Sequence, residues 1–405
     1  MTGQPQTSAP FVHKADSVRL RVLGTKVSLL EEIRLRAQED LGFPIDFIVL
    51  DGVACQEFAA THPASFDVYD QWYNNIDIVW SSGALQPIEI SKLKYWDKIT
   101  SLAKTGMLSG RALVGEGDAP VKRLYVQPDR RLGSQPSELI SAMPGVHNVD
   151  AFGYLPDELR PRLGKDEAES WGWLVDSRFA GRVALIDDPA IGAVDAALAL
   201  QAKGLASFEN IGNLSLKEID SLVRRLISLK KAGHFRALWK SVDEATDLMV
   251  SGGVSLESMW SPTWVSLRAR QVPVRYAAPR EGYRAWFGCL GISSRASGRV
   301  LEAAYEFLNW WLAGWPGALM MRQGYYISVL ETLHSFITPE EWAFWYMGEP
   351  AACDLVGPNG EVVVRKGERR NGGSYWDRVS KIVVWNSTID EHNYLVRRWN
   401  EFVSA

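Results

Sequence analysis

The sequence predicts an α/β protein of two lobes, each a mainly parallel sheet flanked by helices. Three observations carry that prediction. At 405 residues the chain is longer than one hydrophobic core usually supports, so two lobes are expected. Short apolar strands alternate with capped helices, the order that builds parallel sheets covered on both faces. Finally, the stretch from Ala278 to Ser294 passes from a charged, turn-prone half (Pro279, Arg280, Glu281, Gly282) through Tyr283, Trp286 and Phe287 into the apolar run Cys289–Ile292. Such a segment reads as a strand that returns the chain from one lobe to the other and lays its aromatic residues across the cleft between them.

The elements follow in order. Val18–Val22 alternates like a strand and turns at Gly24-Thr25-Lys26. Ser28 and Glu31 have capping-box spacing for a helix to about Leu41, stopped by Gly42. Strands are expected at Ile45–Leu50 and Phe66–Tyr69, and the second leads into the loop Gln71-Trp72-Tyr73-Asn74-Asn75. In open α/β sheets ligands sit beyond the carboxyl ends of strands, so these loops are candidate site positions. Residues 106–145 mix Gly, Pro and Arg without a readable period. Val146–Tyr154 reads as a short strand or crossover, Arg182–Ile186 as a strand ending in Asp187-Asp188-Pro189, and 190–203 as a helix. Two more capping boxes, Ser215/Glu218 and Ser241/Glu244, open helices, and Val254–Met259 is a strand ending at Trp260. After the returning strand, apolar residues at 300, 304, 307, 308 and 311 predict a helix over 297–312, stopped at Gly314-Trp315-Pro316-Gly317. A hairpin or loop around Gly357–Gly360 and an amphipathic helix from about Thr388 to Val403 complete the chain.

Composition excludes several classes. A net charge of -4 gives no electrostatic footprint for nucleic acid or an anionic membrane. Cys55, Cys289 and Cys353 form no CxxC pair, hence neither a zinc site nor a disulfide framework, and are read as inert small apolar residues. The histidines, His13, His62, His147, His234, His334 and His392, are scattered, and no HExxH, GxSxG, P-loop or GxGxxG motif occurs. No metal or cofactor is therefore expected. The polar start lacks the apolar core of a secretory signal, which fits either a cytoplasmic protein or a mature form whose signal has been removed. Ala303–Met321, interrupted by Glu306, Asn309 and Pro316, reads as a buried helix and its end, not a membrane span.

Several stretches together resemble the periplasmic substrate-binding proteins of bacterial ABC importers, in the extracellular solute-binding family that includes spermidine/putrescine-binding proteins. They are Val18–Lys26, Phe66-Asp67-Val68 before an aromatic loop, Trp171 followed by Phe179–Asp188, Ser258-Met-Trp260, Glu281-Gly282 followed by Trp286, the helix to Leu312, Gly324-Tyr325, and the closing Tyr394–Phe402. The resemblance spans most of the chain from about residue 18. It implies the two-lobed periplasmic-binding-protein fold of type II, with hinge closure around a ligand. Its parts would be a flexible start over 1–17, lobe one over 18–148 and 285–405, and lobe two over 155–275. The crossings would be 149–154 and 276–284, and C-terminal segments can also pack on lobe two. It further implies a monomer without catalysis that hands a small molecule to a membrane permease in the periplasm.

The resemblance also assigns a site. In polyamine binders a cation lies between aromatic faces and is fixed by carboxylates, and a desolvated ammonium gains up to about 2 kcal/mol from an indole face. Trp260 and Trp286 match the family's ring positions, and Tyr325 follows its glycine-tyrosine turn. Asp188 matches one family carboxylate; equally, it has the position of an N-cap for the helix that follows Pro189. Two further acidic positions of the family fall on Ile191 and Gly288, and buried ammonium groups without partners are costly. The expected ligand is therefore a small amine-containing solute, polyamine-like or a zwitterionic, opine-like conjugate. Lys26 and Arg284 are candidates for holding a carboxylate, Asn74, Asn75 and Tyr73 for hydroxyls, and Thr25, Trp72, Phe152-Gly153-Tyr154 and Tyr375-Trp376-Asp377 for further contacts. The rival readings are a two-lobed α/β enzyme acting on a small polar metabolite, and an iron binder using Tyr325-Tyr326.

Overall fold

A computed structural model describes residues 18–108 and 115–405; the flexible start expected over 1–17, with His13, lies outside the described residues. Two long strands, Met143–Tyr154 and Tyr283–Ser293, run antiparallel side by side at the centre of one large sheet, and every residue of both is buried. On one flank lie β1 (Leu20–Gly24), β2 (Ile45–Val49) and β3 (Val68–Trp72), mutually parallel, with β3 antiparallel to Tyr283–Ser293 from Gly288↔Trp72 to Ile292↔Val68. On the other flank Val183–Ile186 lies parallel between Phe235–Trp239 and Leu256–Met259. The last of these pairs antiparallel with the first central strand, Leu256 opposite Tyr154. Two parallel half-sheets thus meet through a pair of antiparallel crossing strands, which is the two-lobed architecture expected.

Local chemistry accounts for most elements. Gly42 takes the left-handed φ of 75° that ends the helix Glu31–Leu41, and the capping box Ser215/Glu218 opens Leu216–Lys231 as expected. The Ser28/Glu31 box does not form. The helix starts at Glu31 after Leu30, and Ser28 Oγ donates instead to Asp70 Oδ2 (2.7 Å), a fully buried carboxyl that burial pushes up to about 7. Ser241 caps Val242–Val250 through the Glu244 N–H, whereas Glu244 turns back to the N–H of Lys240. Gly314-Trp315-Pro316 ends the helix Gly298–Leu312, but a second helix, Trp315–Arg322, begins at once. Within the unreadable region, Tyr125–Val126, Leu132–Gly133 and Leu139–Ile140 join Ile88–Glu89 in a small antiparallel sheet. Leu355–Val356 and Val362–Val364 form the hairpin expected near Gly357.

The C-terminal helix His392–Ser404 packs on Leu216–Lys231. Tyr394 donates to Asp220 (2.7 Å) and Lys230 to the Phe402 carbonyl (3.2 Å). Its Trp399 donates to Asp187 Oδ1 (2.9 Å) and lies over Gly192, where a Cβ would come within 2.7 Å of the indole. The end of the chain thereby props the turn that carries Asp188. Among the described residues no helix is long and apolar enough to cross a membrane. Cys55 and Cys289 are buried and free, while Cys353 is exposed, contrary to the reading of all three as apolar filler.

Candidate functional site

Loops at strand ends and the second crossing strand converge on one narrow aromatic cavity. Its lining is Val27 after β1, Trp72 ending β3, Ile191 before the helix Gly192–Ala202, Trp260 after Leu256–Met259, Trp286 on the crossing strand, and Tyr325 with Asn386. The rings stand on edge to one another. Trp286 meets Tyr325 at 5.3 Å and 84°, and Trp260 meets Trp239 at 5.1 Å and 89°. Gly52 makes room for Trp72, since a Cβ there would lie 2.7 Å from its ring. In this conformation only about 10 Å³ stays open between the walls, about the space one water requires.

Behind the rings lies a layer of buried charge. Residues two apart on a strand share a face, so Arg284 and Trp286 point together, before a register shift at Gly288 interrupts the alternation. Across the strand pair Arg284 is opposite Asp150 and Trp286 opposite Asn148. Trp286 Nε1 donates to Asp150 Oδ2 (2.7 Å), whose other oxygen accepts from Asn148 Nδ2 (2.9 Å) and the Tyr276 hydroxyl (3.1 Å). Arg284, fully buried, donates through Nε to Asp195 Oδ1 (2.7 Å) and through Nη1 to Asn386 Oδ1 (2.9 Å), with Asp150 at 3.5 Å. Burial pushes the Asp150 carboxyl above its ordinary range, against the pull of Arg284 and the Trp286 N–H. Asp195 is pushed up to about 6 by burial and by the negative charges of Asp150 and Asp188, opposed by Arg284. Asp188, half-buried, also sits high because desolvation disfavours its charge, although its Oδ1 accepts the N–H groups of Ala190 and Ile191, both at 2.8 Å. Two buried carboxyls, Asp150 and Asp195, therefore flank one guanidinium behind an aromatic wall.

A profile of the bacterial extracellular solute-binding proteins matches residues 56–333. The chain belongs to that family. Among solved structures, the spermidine/putrescine ABC transporter substrate-binding protein of Streptococcus pneumoniae is similar at TM-score 0.60 and 14% identity, covering 95% of this chain and 99% of that one. The periplasmic binding protein MotA of A. tumefaciens B6, solved with glucopine, is similar at TM-score 0.60 and 12% identity (95% and 99% covered). AgtB of A. tumefaciens R10, solved with agropinic acid, is similar at TM-score 0.59 and 13% identity (96% and 99%). At these identities the likeness establishes the fold, that of the two-lobed periplasmic binding proteins. No curated protein matches. The family is one of transport binders rather than enzymes.

In this solute-binding protein Trp72, Trp260, Trp286 and Tyr325 come together, and Thr25, 8% exposed, sits two residues before the lining Val27. Other candidates lie elsewhere. Lys26 is exposed and outside the lining, whereas Asn74 is buried in the turn Tyr73–Asn75 behind β3. Tyr154 donates to Glu169 (2.6 Å) and meets Trp173 edge-on (5.5 Å), away from the cavity. Asp188 serves as the turn acceptor that its position before Pro189 and Ala190 allows. A side chain at Gly288 has no free path, because its Cβ would meet Val146 Cγ1 at 3.0 Å and the Val146 carbonyl at 3.2 Å. Tyr325 and Tyr326 diverge, the first toward Trp286 and the second toward His147 and Tyr375, so they do not converge on a metal. The Tyr375 hydroxyl shares a hydrogen bond with His147 Nε2 (3.1 Å), and Trp376 is exposed. Arg284 was legible as a candidate, but Asp150, Asp195 and Asn386 were not. The available signal was a carboxylate in the apolar run Val149-Asp150-Ala151, a residue type that is seldom buried without a partner.

Proposed function

We propose that this protein is the periplasmic solute-binding component of an ABC importer, that it captures an amine-bearing polar solute in the aromatic cavity, and that it passes the solute to a membrane permease. The observation that carries the reading is the pairing of four aromatic walls with a buried layer of two carboxyls, Asp150 and Asp195, and one arginine. An indole whose N–H is held by a carboxylate presents an electron-rich face, and a cation against it gains up to about 2 kcal/mol when desolvated. The ammonium also supplies the positive charge that the acid layer lacks. Ile191, in the wall where polyamine binders are expected to place an acid, gives a second ammonium nothing to pair with. A solute with one cationic head and an otherwise polar or zwitterionic body, opine-like in character, therefore fits better than spermidine. The closed walls require the lobes to part for entry, about hinges that we place in the two crossing strands.

The test is a thermal-shift and calorimetric screen with putrescine, spermidine, GABA and glucopine. A ligand at a hundred times its Kd stabilises the native state by about 2.7 kcal/mol. The true ligand should lose roughly tenfold or more in affinity in Trp286→Ala, the loss of a desolvated cation–π contact. Its affinity should rise from pH 5 to 7, because Asp195, pushed up to about 6 and facing Arg284, Asp150 and Asp188, must be ionised to favour a cation. A ligand whose binding ignores both the ring and the pH, or a compound the protein chemically converts, would overturn the proposal.

A further inference from the structure

Beside the aromatic cavity lies a second and larger one of about 440 Å³. One wall comes from the helix Ser261–Ala269 and the bridge Arg275–Tyr276; the other comes from Gly324, the end of the helix Pro339–Trp345, and the 368–378 stretch. It adjoins the first cavity through Ser261 and Gly324, the chain neighbours of Trp260 and Tyr325. Its charged lining is five arginines, at 268, 275, 369, 370 and 378, against one carboxylate, Glu368. Arg268 is spent in a bidentate pair with Glu368 (2.6 and 2.8 Å). Arg275 pairs with Glu169 at 3.0 Å.

The other three take part in none of the ion pairs found among the described residues. Arg370 is held by two backbone carbonyls, of Trp345 (2.9 Å) and Gly324 (3.0 Å), and lies over the rings of Tyr326 (4.7 Å) and Trp345 (4.9 Å). Arg378, 1% exposed, donates to the carbonyls of Asn371 (2.7 Å) and Val149 (3.2 Å) and lies over Tyr283. Arg369 is exposed at the rim. Burial lowers the Arg370 guanidinium to about 10, and the neighbouring Arg378 charge pulls it the same way. Carbonyls and ring faces orient a guanidinium but do not neutralise it, and cations held close in a poorly solvated cavity repel one another. Their forked donors match the oxygens of a carboxylate or phosphate. Trp264, Phe344 and Trp345 add flat apolar wall.

We infer that this cavity is a second binding site, for a small organic oxyanion, distinct from the aromatic cavity and independent of the solute it takes. The experiment is calorimetry on the full chain at low ionic strength and neutral pH with two probes, benzoate and inorganic phosphate. Saturable binding of benzoate is expected. Equal binding of phosphate would mean that the arginines alone read the oxyanion, and weaker phosphate binding would mean that the aromatic walls contribute. Arg370→Gln should weaken the interaction about tenfold or more, as loss of a charge-assisted contact does. Arg369→Glu, a rim change that leaves the interior packing untouched, should weaken it severalfold even if Arg370→Gln fails to fold. Trp72→Ala, on the aromatic cavity, should leave it unchanged. The inference falls if neither probe binds the wild type, if Arg369→Glu and Arg370→Gln bind as the wild type does, or if Trp72→Ala abolishes binding.

Discussion

Replacing Arg284 by Met removes the one cation of the buried layer while keeping most of the side-chain volume. Asp195 then loses its partner at 2.7 Å and Asp150 its partner at 3.5 Å, both essentially inaccessible to water. Breaking a buried pair from one side costs about 3–5 kcal/mol, and that cost should depend on pH in a defined direction. The folded-state carboxyls of Asp150 and Asp195 already lie above their unfolded range. Their contribution to stability is therefore fully present below the unfolded value and is lost as pH rises through the folded one. For Asp195 the rise runs from an ordinary 3.8 to about 6; at about 1.4 kcal/mol per pH unit it makes about 3 kcal/mol of wild-type stability pH-dependent. Without Arg284 both carboxyls move higher still, so the window widens upward and the deficit of Arg284→Met should be largest near pH 8. Near pH 4, below the folded-state value of Asp195 with or without the arginine, it should shrink toward the cost of lost packing and hydrogen bonds. Urea denaturation of wild type and Arg284→Met across pH 4–8 measures this directly. A deficit that stays constant across that range would mean that Arg284 acts by packing alone, and the electrostatic reading of the layer would be refuted.

Two further outcomes follow from the same structure. Glu257 on Leu256–Met259 is fully buried with neither carboxyl oxygen hydrogen-bonded, and burial alone holds it well above its ordinary range. Its stabilising share is therefore present below about pH 4 and lost as pH rises, and Glu257→Met should gain about 1–3 kcal/mol at neutral pH by removing an unsatisfied polar group. Glu257→Gln should flatten the pH slope, and an unchanged slope in urea titrations would show that Glu257 is solvated. Gly288→Asp should lower Tm through overpacking against Val146, at about 1–3 kcal/mol, and add no polyamine affinity. A stable Gly288→Asp protein that binds spermidine more tightly than wild type would show that the position opens into the cavity.

The fold was largely legible because its signals are local. Gly42, the Ser215/Glu218 box and the alternation of strand and helix each follow from backbone chemistry within a few residues. The stretch 106–145 was the hardest to read, and the first crossing strand, legible from Val146, begins within it at Met143. Its sequence, Met143-Pro-Gly-Val-His-Asn-Val-Asp-Ala-Phe-Gly-Tyr154, is buried on both faces, so polar and apolar residues no longer alternate with water and core. His147 there stacks on Phe287 at 4.4 Å and is driven down to about 3 by burial, while Asn148 and Asp150 turn toward Trp286 and Arg284. The Ser28 box failed for a related reason. A buried carboxyl at Asp70, distant in sequence, competed for the hydroxyl that a helix end would otherwise have used.

The acids of the site divide in the same way between what sequence shows and what only the fold brings together. Two positions at which the resemblance to polyamine binders implies an acid carry Gly288 and Ile191. Gly288 has no room for a side chain, and Ile191 presents an apolar wall. The carboxyls that are present reach the cavity through intermediaries, Asp150 through the indole N–H of Trp286 and Asp195 through the guanidinium of Arg284. Both intermediaries sit on the crossing strand Tyr283–Ser293, and Asp195 sits on the helix Gly192–Ala202 that follows the neighbouring half-sheet. A charge placed against Trp286 therefore acts on the same strand that joins the two halves of the sheet. In the function proposed, recognition of a cation and the seating of that strand against the helix would rest on one set of contacts.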